Sequence, residues 1–346
     1  MNLIGKLIGL VILSGSIITG WMLMEIESFS QSRLNLPEIE DNRNSYWRYT
    51  IAPGRSLTSI AAELSEHSII EHPNYLIWIA RYRRLAGKIK AGEYSLEPGL
   101  TVNQFLDKIT RGDVIQYPLT IVEGWNFRQL WEYMAKMDNI KNDLENMDNR
   151  SIMSKLGYPD THPEGRFLPD TYYYTQGMLS SQILKRAYIA MDDFLGKAWG
   201  ERDIGLPLVS QYDALVLASI IEKETAVASE RKQIAGVFIR RLQQRMRLQT
   251  DPTVIYGLGS DFDGNLRSRD LKLDTPYNTY TRHGLPPTPI SMPGAESILA
   301  ALHPDDGDTL YFVARGDGTH YFSSTITEHN QAVRKYQLKK SANDSK

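Results

Sequence analysis

The residues best placed to do chemistry are two glutamates, Glu222 and Glu224, at the end of the apolar stretch Ala214–Ile221. Most residues of this stretch favour helix, so the pattern predicts a buried helix. At about 3.6 residues per turn, Glu224 continues the apolar stripe of Leu217 and Ile221. Glu222 falls on nearly the opposite side of the same helix.

A carboxyl group on an apolar stripe loses hydration, which disfavours its charged form and raises its pKa. An acid catalyst working near neutral pH needs such a group. We therefore expect Glu224 to be a candidate acid, and we expect no comparable desolvation of Glu222. The spacing leaves one alternative open, in which both glutamates and Lys223 form a solvated helix end.

Carboxylates and aromatic rings concentrate a second time in Glu164–Thr175, with two carboxylates and four aromatic residues in twelve positions. Carboxylates can bond sugar hydroxyls, and aromatic faces can stack on sugar rings. A turn at Pro169 would present these side chains on a loop or strand edge. The composition suits a glycan cleft, with a small aromatic core under a loop as the alternative.

Two further segments combine polar residues with a rigid backbone. In Leu248–Gly257, Thr250 or Asp251 precedes a proline and predicts the start of a short helix ending at its last glycine. The stretches Thr275–Tyr280 and Gly284–Gly294 belong to a long loop with five prolines. Loops of this length in compact domains are usually functional.

Residue types exclude several kinds of site. The chain of 346 residues has no cysteine, and its seven histidines lack the H-E-x-x-H spacing, so neither a thiol nucleophile nor a metal centre is expected. The stretch that begins at Asp261 resembles a calcium loop but lacks the required glycine and glutamate. No G-x-S-x-G elbow occurs. The net charge of −2 argues against a nucleic-acid partner, and we expect no cofactor.

The N-terminal region predicts a membrane anchor. Leu7–Met24 is an uncharged run of 18 residues behind Lys6, close to the length that a bilayer core requires. The positive-inside rule predicts that residues 1–6 are cytoplasmic and that the rest lies outside the inner membrane. No small-residue cleavage pattern follows the run, so we favour an uncleaved single-pass anchor over a signal peptide. Residues 25–45 are predicted to be a linker.

Residues 46–116 predict a small β-α-α-β domain. A strand begins near Tyr49, Ser56 caps a helix, a second helix covers Pro73–Leu85, and Ala91–Leu96 returns as a strand. The residue order over Tyr49–Ala61 resembles the LysM module, a peptidoglycan-binding fold. Glycan binding and a purely structural role both remain open for this domain.

Residues 117–340 predict a larger mixed α+β domain, which makes the whole chain α+β. After the central helix, Ser229 is predicted to cap an amphipathic helix whose basic outer face includes Arg240 and Arg241. That face is predicted to be solvated. A hairpin flanks a Gly-Asp-Gly turn near the C-terminus, and a closing helix starts at Thr327.

The motifs together resemble the endolytic murein transglycosylase family, which is also called YceG-like. The matching stretches are Ala218–Arg231, Leu248–Gly257, Tyr277–Tyr280, Gly284–Pro287, His303–Pro304, Glu164–Gly165 and Pro169–Thr171. With the anchor and the LysM-like domain, the resemblance covers nearly the whole chain.

The resemblance implies a lytic transglycosylase that cleaves MurNAc-GlcNAc bonds in nascent peptidoglycan strands and leaves 1,6-anhydro-MurNAc ends, ending strand elongation. It places the family's catalytic glutamate at Glu224, as acid and then as base. It also implies peptidoglycan synthases as partners. The implied substrate-binding residues are Glu164, Asp170, Tyr172, Glu222, Thr225, Gln249, Asp251, Tyr277, Asn278 and Tyr280.

Two other functions remain open from the sequence. A hydrolase could use the same acid, with water in place of the sugar's own hydroxyl group. A membrane-anchored scaffold that binds peptidoglycan and recruits synthases would need no catalytic glutamate. The products of strand digestion distinguish all three.

Overall fold

The computed structural model describes residues 3–37 and 45–338 of the chain. Helices and short two-stranded sheets make an α+β protein, as the sequence predicts. The chain divides into two compact units, Met1–Tyr117 and Pro118–Lys346. Parts of the predicted cytoplasmic segment and of the predicted linker lie outside the described residues.

The first helix, α1, spans Leu3–Gln31 and is longer than the predicted anchor. Its portion Lys6–Gln31 is long and apolar enough to cross a membrane. The predicted linker over residues 25–45 is wrong in its first part, because α1 continues to Gln31 and buries Phe29 in the core of the first unit. Leu34 packs into the same core, which gives this polar stretch a fixed structure.

The first unit contains the predicted order of strand, two helices and strand. Its elements are β1 (Trp47–Ile51), α2 (Leu57–Glu66), α3 (Pro73–Tyr82), β2 (Gly92–Leu96) and α4 (Val102–Arg111). The strands pair antiparallel, with Tyr49 opposite Tyr94. Ser56 caps α2 as predicted, by accepting from the backbone N–H of Ser59, whereas α3 ends three residues earlier than predicted.

The second unit combines helices with short strand pairs, the first of which begins at the boundary residue Tyr117. The pairs are β3 (Tyr117–Thr120) with β5 (Thr171–Tyr174), β4 (Ile140–Lys141) with β6 (Met178–Leu179), and β7 (Tyr311–Ala314) with β8 (His320–Ser323). The helices are α5 (Phe127–Met134), α6 (Asn149–Leu156), α7 (Ser180–Gly200), α8 (Gln211–Glu224), α9 (Arg231–Gln243), α10 (Asp251–Leu258), α11 (Ala295–Leu302) and α12 (Ile326–Val333).

Helix α8 is the centre of the second unit, because every residue from Ala214 to Ile221 is buried. Its core is shared with α7, α9 and α11. Ser219 explains how a polar residue fits there: its hydroxyl donates to the carbonyl oxygen of Val216 (2.7 Å) and accepts from the N–H of Ile290 (3.0 Å). The proline-rich loop is therefore attached directly to α8.

Two predicted helix boundaries differ in the structure. Ser229 lies in a 3-10 turn, Ala228–Glu230, and Glu230 occupies the N-terminal cap position of α9 without a capping side-chain bond. Helix α10 ends at Leu258, and Gly259, not Gly257, has the positive φ (+58°) that follows the helix. The sequence places glycines at both positions, so residue type alone does not select between them.

Candidate active site

Glu224 is the last residue of α8 and lies in a cavity of about 510 Å³. The hydroxyl group of Thr250, which precedes α10, donates a hydrogen bond to Glu224 Oε1. Within the described part of the chain, Glu224 Oε2 has no hydrogen-bond partner. One oxygen of the carboxyl group is therefore held in place while the other remains available. We call this space the Glu224 cavity.

Burial raises the pKa of Glu224 from its ordinary value of 4.5 to about 7. The hydrogen bond from Thr250 opposes this shift, as do the charges of His320 and Arg241, whereas Asp251 adds to it. A carboxyl group that is partly protonated at neutral pH can give up a proton and take one back. The desolvation predicted from the apolar stripe is therefore present at Glu224.

Arg241 lies in the wall of the Glu224 cavity and is only 7% exposed. Its guanidinium donates to the carbonyl oxygens of Leu310 (2.7 Å) and Leu248 (2.7 Å), which joins α9 to the residue before β7 and to the segment before α10. The prediction of a solvated basic face on α9 is wrong here. Because carbonyl oxygens do not neutralise the guanidinium, its charge still acts on Glu224.

His320 is a site residue that the sequence did not identify. It lines the Glu224 cavity from β8, and its Nδ1 lies 2.8 Å from Glu230 Oε2. Glu230 Oε1 accepts from the backbone N–H of the same histidine (2.8 Å). Thr225 completes the chain of contacts, with its hydroxyl 3.4 Å from Glu230 Oε2. Thr225 therefore helps to position His320 and does not line the cavity.

Three other predicted residues line the Glu224 cavity, namely Gln249, Asp251 and Tyr280. Tyr280 donates from its hydroxyl group to Asp251 Oδ1 (2.6 Å). Gln249 has a φ of +50°, in the left-handed region, where a residue with a side chain costs about 1–2 kcal/mol. Its N–H donates to the carbonyl oxygen of Thr279 (3.2 Å), so the proline-rich loop offsets part of that cost.

The remaining predicted residues hold the surrounding structure together. Asn278 is buried and donates to the carbonyl oxygens of Asp270, Leu271 and Leu273. The hydroxyl groups of Tyr277 and Thr288 lie 2.9 Å apart.

The predicted residues of the Glu164–Thr175 stretch do not line the Glu224 cavity either. Tyr172 is buried, and its hydroxyl donates to the carbonyl oxygen of Leu168 (2.8 Å). Asp170 accepts from the N–H of Thr171 (2.6 Å) at the start of β5. Both side chains therefore support the turn before β5.

Glu222 is less exposed than the helix pattern predicts. Its side chain is 7% exposed and lies 4.0 Å from Arg231 Nη2. Its Oε2 accepts from the N–H of Gly294 (3.0 Å), and its charge raises the pKa of Glu123, although burial of Glu123 is the larger cause. The prediction that Glu222 avoids desolvation is wrong, because the loop after the prolines covers this side of α8.

Glu164 lines a second cavity, of about 820 Å³, which we call the Glu164 cavity. It is 3% exposed, and burial raises its pKa to about 7. Its Oε1 accepts from the N–H of Phe127 (3.0 Å) and its Oε2 from the hydroxyl of Tyr256 (2.9 Å). Both oxygens are thus occupied.

The two cavities lie on different sides of α10. Asp251 lines the Glu224 cavity, whereas Pro252, Ile255 and Tyr256 line the Glu164 cavity. Among the residues that the structure describes, no cluster of three or more His, Cys, Asp or Glu side chains could hold a metal ion.

Comparison with known proteins identifies one family. A profile of the YceG-like family matches residues 49–335. The chain is 31% identical to an endolytic murein transglycosylase from Bacillus subtilis, over 94% of this chain and 91% of that protein. It is 26% identical to an endolytic murein transglycosylase from Streptococcus pneumoniae, over 86% of this chain but only 60% of that longer protein.

A solved structure agrees with these matches. The crystal structure of a YceG-like protein from Listeria monocytogenes matches with a TM-score of 0.53 and 34% identity, over 83% of this chain and 99% of that chain.

Proposed function

The chain belongs to the YceG-like family, and we propose that it is an endolytic murein transglycosylase with Glu224 as its single catalytic carboxyl group. Two relatives that match most of the chain carry this name. The reaction would cleave the bond between MurNAc and GlcNAc inside a glycan strand and leave a 1,6-anhydro-MurNAc end. The observation that carries the proposal is a desolvated carboxyl group with one free oxygen inside a polar cavity.

In the first step, protonated Glu224 donates its proton to the glycosidic oxygen as the bond between C1 of MurNAc and that oxygen breaks. The departing GlcNAc keeps the oxygen as its 4-hydroxyl group, and positive charge develops at C1. Arg241 and His320 already lower the pKa of Glu224, as does the hydroxyl group of Thr250. These three groups would stabilise the carboxylate that forms.

In the second step, the Glu224 carboxylate removes the proton from the C6 hydroxyl of the same MurNAc. That oxygen then bonds to C1 and closes the anhydro ring, so Glu224 is protonated again and no water is consumed. The attacking hydroxyl belongs to the sugar under attack, which gives it a high effective concentration. A second catalytic carboxylate, which ordinary glycosidases require, is therefore unnecessary.

Asp251 is the residue that a hydrolytic mechanism would use as a second carboxylate, since it also lines the Glu224 cavity. Its Oδ1 accepts from the Tyr280 hydroxyl (2.6 Å), which engages it in a structural bond. We assign Asp251, Tyr280 and Gln249 to orienting the glycan in this cavity.

The long apolar helix supports a membrane location for the enzyme. Lys6–Gln31 fits a single-pass anchor, and an enzyme of the cell wall must act outside the cytoplasm. We place the N-terminus in the cytoplasm and the second unit outside the inner membrane. Nascent strands made there by peptidoglycan synthases would be the substrate, which makes those synthases the expected partners.

Digestion of purified glycan strands by the full-length chain in detergent tests this function. We expect fragments whose masses add up to that of the parent strand with no added water, and no such fragments from Glu224→Gln. Fragments heavier by one water would identify a hydrolase. Intact strands that remain bound to the wild-type chain would instead identify a scaffold.

A further inference from the structure

The Glu164 cavity differs in charge from the Glu224 cavity. Its lining contains two side chains that carry a permanent positive charge, Lys223 and Arg128. Glu164 is the one carboxyl group among its described lining residues, and it is 3% exposed with both oxygens bonded to Phe127 and Tyr256. The charge presented to a ligand in this cavity is therefore positive.

Lys223 is the stronger of the two cationic contacts. Its ammonium group donates to the carbonyl oxygen of Gly124 (3.2 Å) and has no carboxylate partner among the described residues. Arg128 is weaker, because Glu132 lies 3.8 Å from its guanidinium and both side chains are about 60% exposed. An anionic group entering the cavity would meet Lys223 first as an unneutralised charge.

Apolar side chains form much of the remaining wall. They include Trp131, Met147, Ile152 and Phe262. Asn126 and Gln129 add polar groups. The cavity thus fits a ligand that combines carboxylates, amide groups and small alkyl groups, which is the chemistry of a short acidic peptide.

The position of the cavity relates such a peptide to the proposed reaction. Lys223 and Glu224 are consecutive residues whose Cα atoms are about 3.8 Å apart, yet they line different cavities. The first residue of α10, Asp251, lines the Glu224 cavity, and Pro252, the next residue, lines the Glu164 cavity. A peptide of four residues extends about 13–14 Å at most, so a branch from a sugar bound near Glu224 is long enough to pass the first turn of α10.

We propose that the Glu164 cavity binds the carboxylate-bearing peptide stem attached to the lactyl group of a muramyl residue bound near Glu224. The proposal rests on the proposed function, because it assumes a peptidoglycan strand in the Glu224 cavity. It assigns Lys223 to one carboxylate of the stem and Trp131 to its alkyl groups.

Binding of a free stem tetrapeptide to the full-length chain in detergent, measured by calorimetry, tests this site without any turnover. We expect binding to the wild type, a loss of about tenfold in affinity for Lys223→Met, and recovery in Lys223→Arg, because only a cationic side chain can make a charge-assisted hydrogen bond to a stem carboxylate. Lys197→Met, which removes an exposed lysine of α7 that lines neither cavity, is the matched control and should bind like the wild type.

A kinetic comparison tests whether the bound peptide belongs to the substrate strand. For each variant, we would measure the ratio of kcat/KM on strands with stems to kcat/KM on strands stripped by an amidase. The proposal expects a ratio above one for the wild type and Lys197→Met, and a ratio nearer one for Lys223→Met.

Two results would overturn the stem site. One is the absence of tetrapeptide binding, and the other is a ratio that Lys223→Met leaves unchanged. Failure of the proposed function would give a different result. The wild type would then release no anhydro ends from either kind of strand, but it would still bind the tetrapeptide through Lys223.

Discussion

Glu224 and Glu164 are both carboxyl groups whose pKa burial raises to about 7, and each lines its own cavity in the second unit. They differ in what their oxygens do. Glu164 accepts from Phe127 and Tyr256 with one oxygen each. Glu224 accepts from Thr250 with Oε1 alone, so its second oxygen can face a substrate.

If Glu224 is the catalytic acid as proposed, this comparison shows that desolvation alone does not make a carboxyl group catalytic. The raised pKa keeps a proton available in both places, but only Glu224 has a free oxygen through which to transfer it. Glu164 instead ties the start of α5 to α10. A perturbed pKa therefore identifies a candidate, and the hydrogen-bond pattern decides between catalysis and structure.

The largest expected difference between Glu224 and Glu164 is the effect of their substitution on activity. We expect Glu224→Gln to lower kcat by about 10²–10⁴-fold, the usual contribution of a general acid and base, because an amide cannot donate the proton. Glu164→Gln should keep activity within about tenfold. Release of anhydro ends from purified strands measures both, with circular dichroism as the control for folding. Comparable losses of activity from the two variants would contradict the assignment of Glu224 to catalysis and of Glu164 to structure.

The second expected difference between Glu164 and Glu224 is the effect of their substitution on the free energy of unfolding. Glu164→Leu leaves the N–H of Phe127 and the hydroxyl of Tyr256 without their acceptor, and we expect a loss of about 1–3 kcal/mol for such buried unpaired groups. Thermal unfolding of the full-length chain measures this. Glu224→Leu leaves only Thr250 unpaired at the edge of a cavity, so its loss should be smaller. An equal or larger loss for Glu224→Leu would contradict the structural role of Glu164.

The third effect is the dependence on pH. Since the proposed mechanism requires a protonated Glu224, whose pKa is about 7, we expect kcat/KM to fall as the pH rises above 7. Both folded-state pKa values lie above the ordinary value of 4.5, so the folded chain binds more protons than the unfolded chain between these values. The free energy of unfolding should therefore decrease as the pH rises from about 4.5 to 7.

Variants can show how much each carboxyl group contributes to the change in the free energy of unfolding with pH. Glu164→Gln should reduce the stability slope and leave the midpoint of the activity profile near pH 7. Denaturant titrations at several pH values and the rate profile supply both readings. A midpoint that moves with Glu164→Gln would show that the two carboxyl groups are coupled.

The smallest effects come from the charges around Glu224. Asp251 raises its pKa and His320 lowers it, so Asp251→Asn should move the descending limb of the rate profile to lower pH and His320→Gln to higher pH. We expect shifts of roughly 0.3–1 pH unit. Shifts in the same direction would show that these residues act by shape and not by charge.

The sequence predicted the parts of the site that depend on local pattern. The 3.6-residue period placed Glu224 on the buried stripe of α8, and residues Thr250 and Asp251 before a proline predicted the start of α10. Both features need only neighbouring residues.

Contacts between distant residues could not be read from these patterns. Arg241 is buried because Leu310, about 70 positions later and just before β7, supplies a carbonyl oxygen to it. His320 reaches the cavity because Glu230, 90 residues earlier, holds its ring. The placement of Glu222 depends in the same way on Gly294.

The continuity of α1 joins the proposed membrane anchor rigidly to the first unit. A helix of 29 residues is about 44 Å long, and a bilayer core takes up about 30 Å of it. Because Phe29 is buried in the core of the first unit, the remainder of the helix is a short rigid connection and not a flexible linker. If α1 spans the bilayer as proposed, the first unit is held close to the lipid surface, because no flexible segment separates its core from the membrane helix.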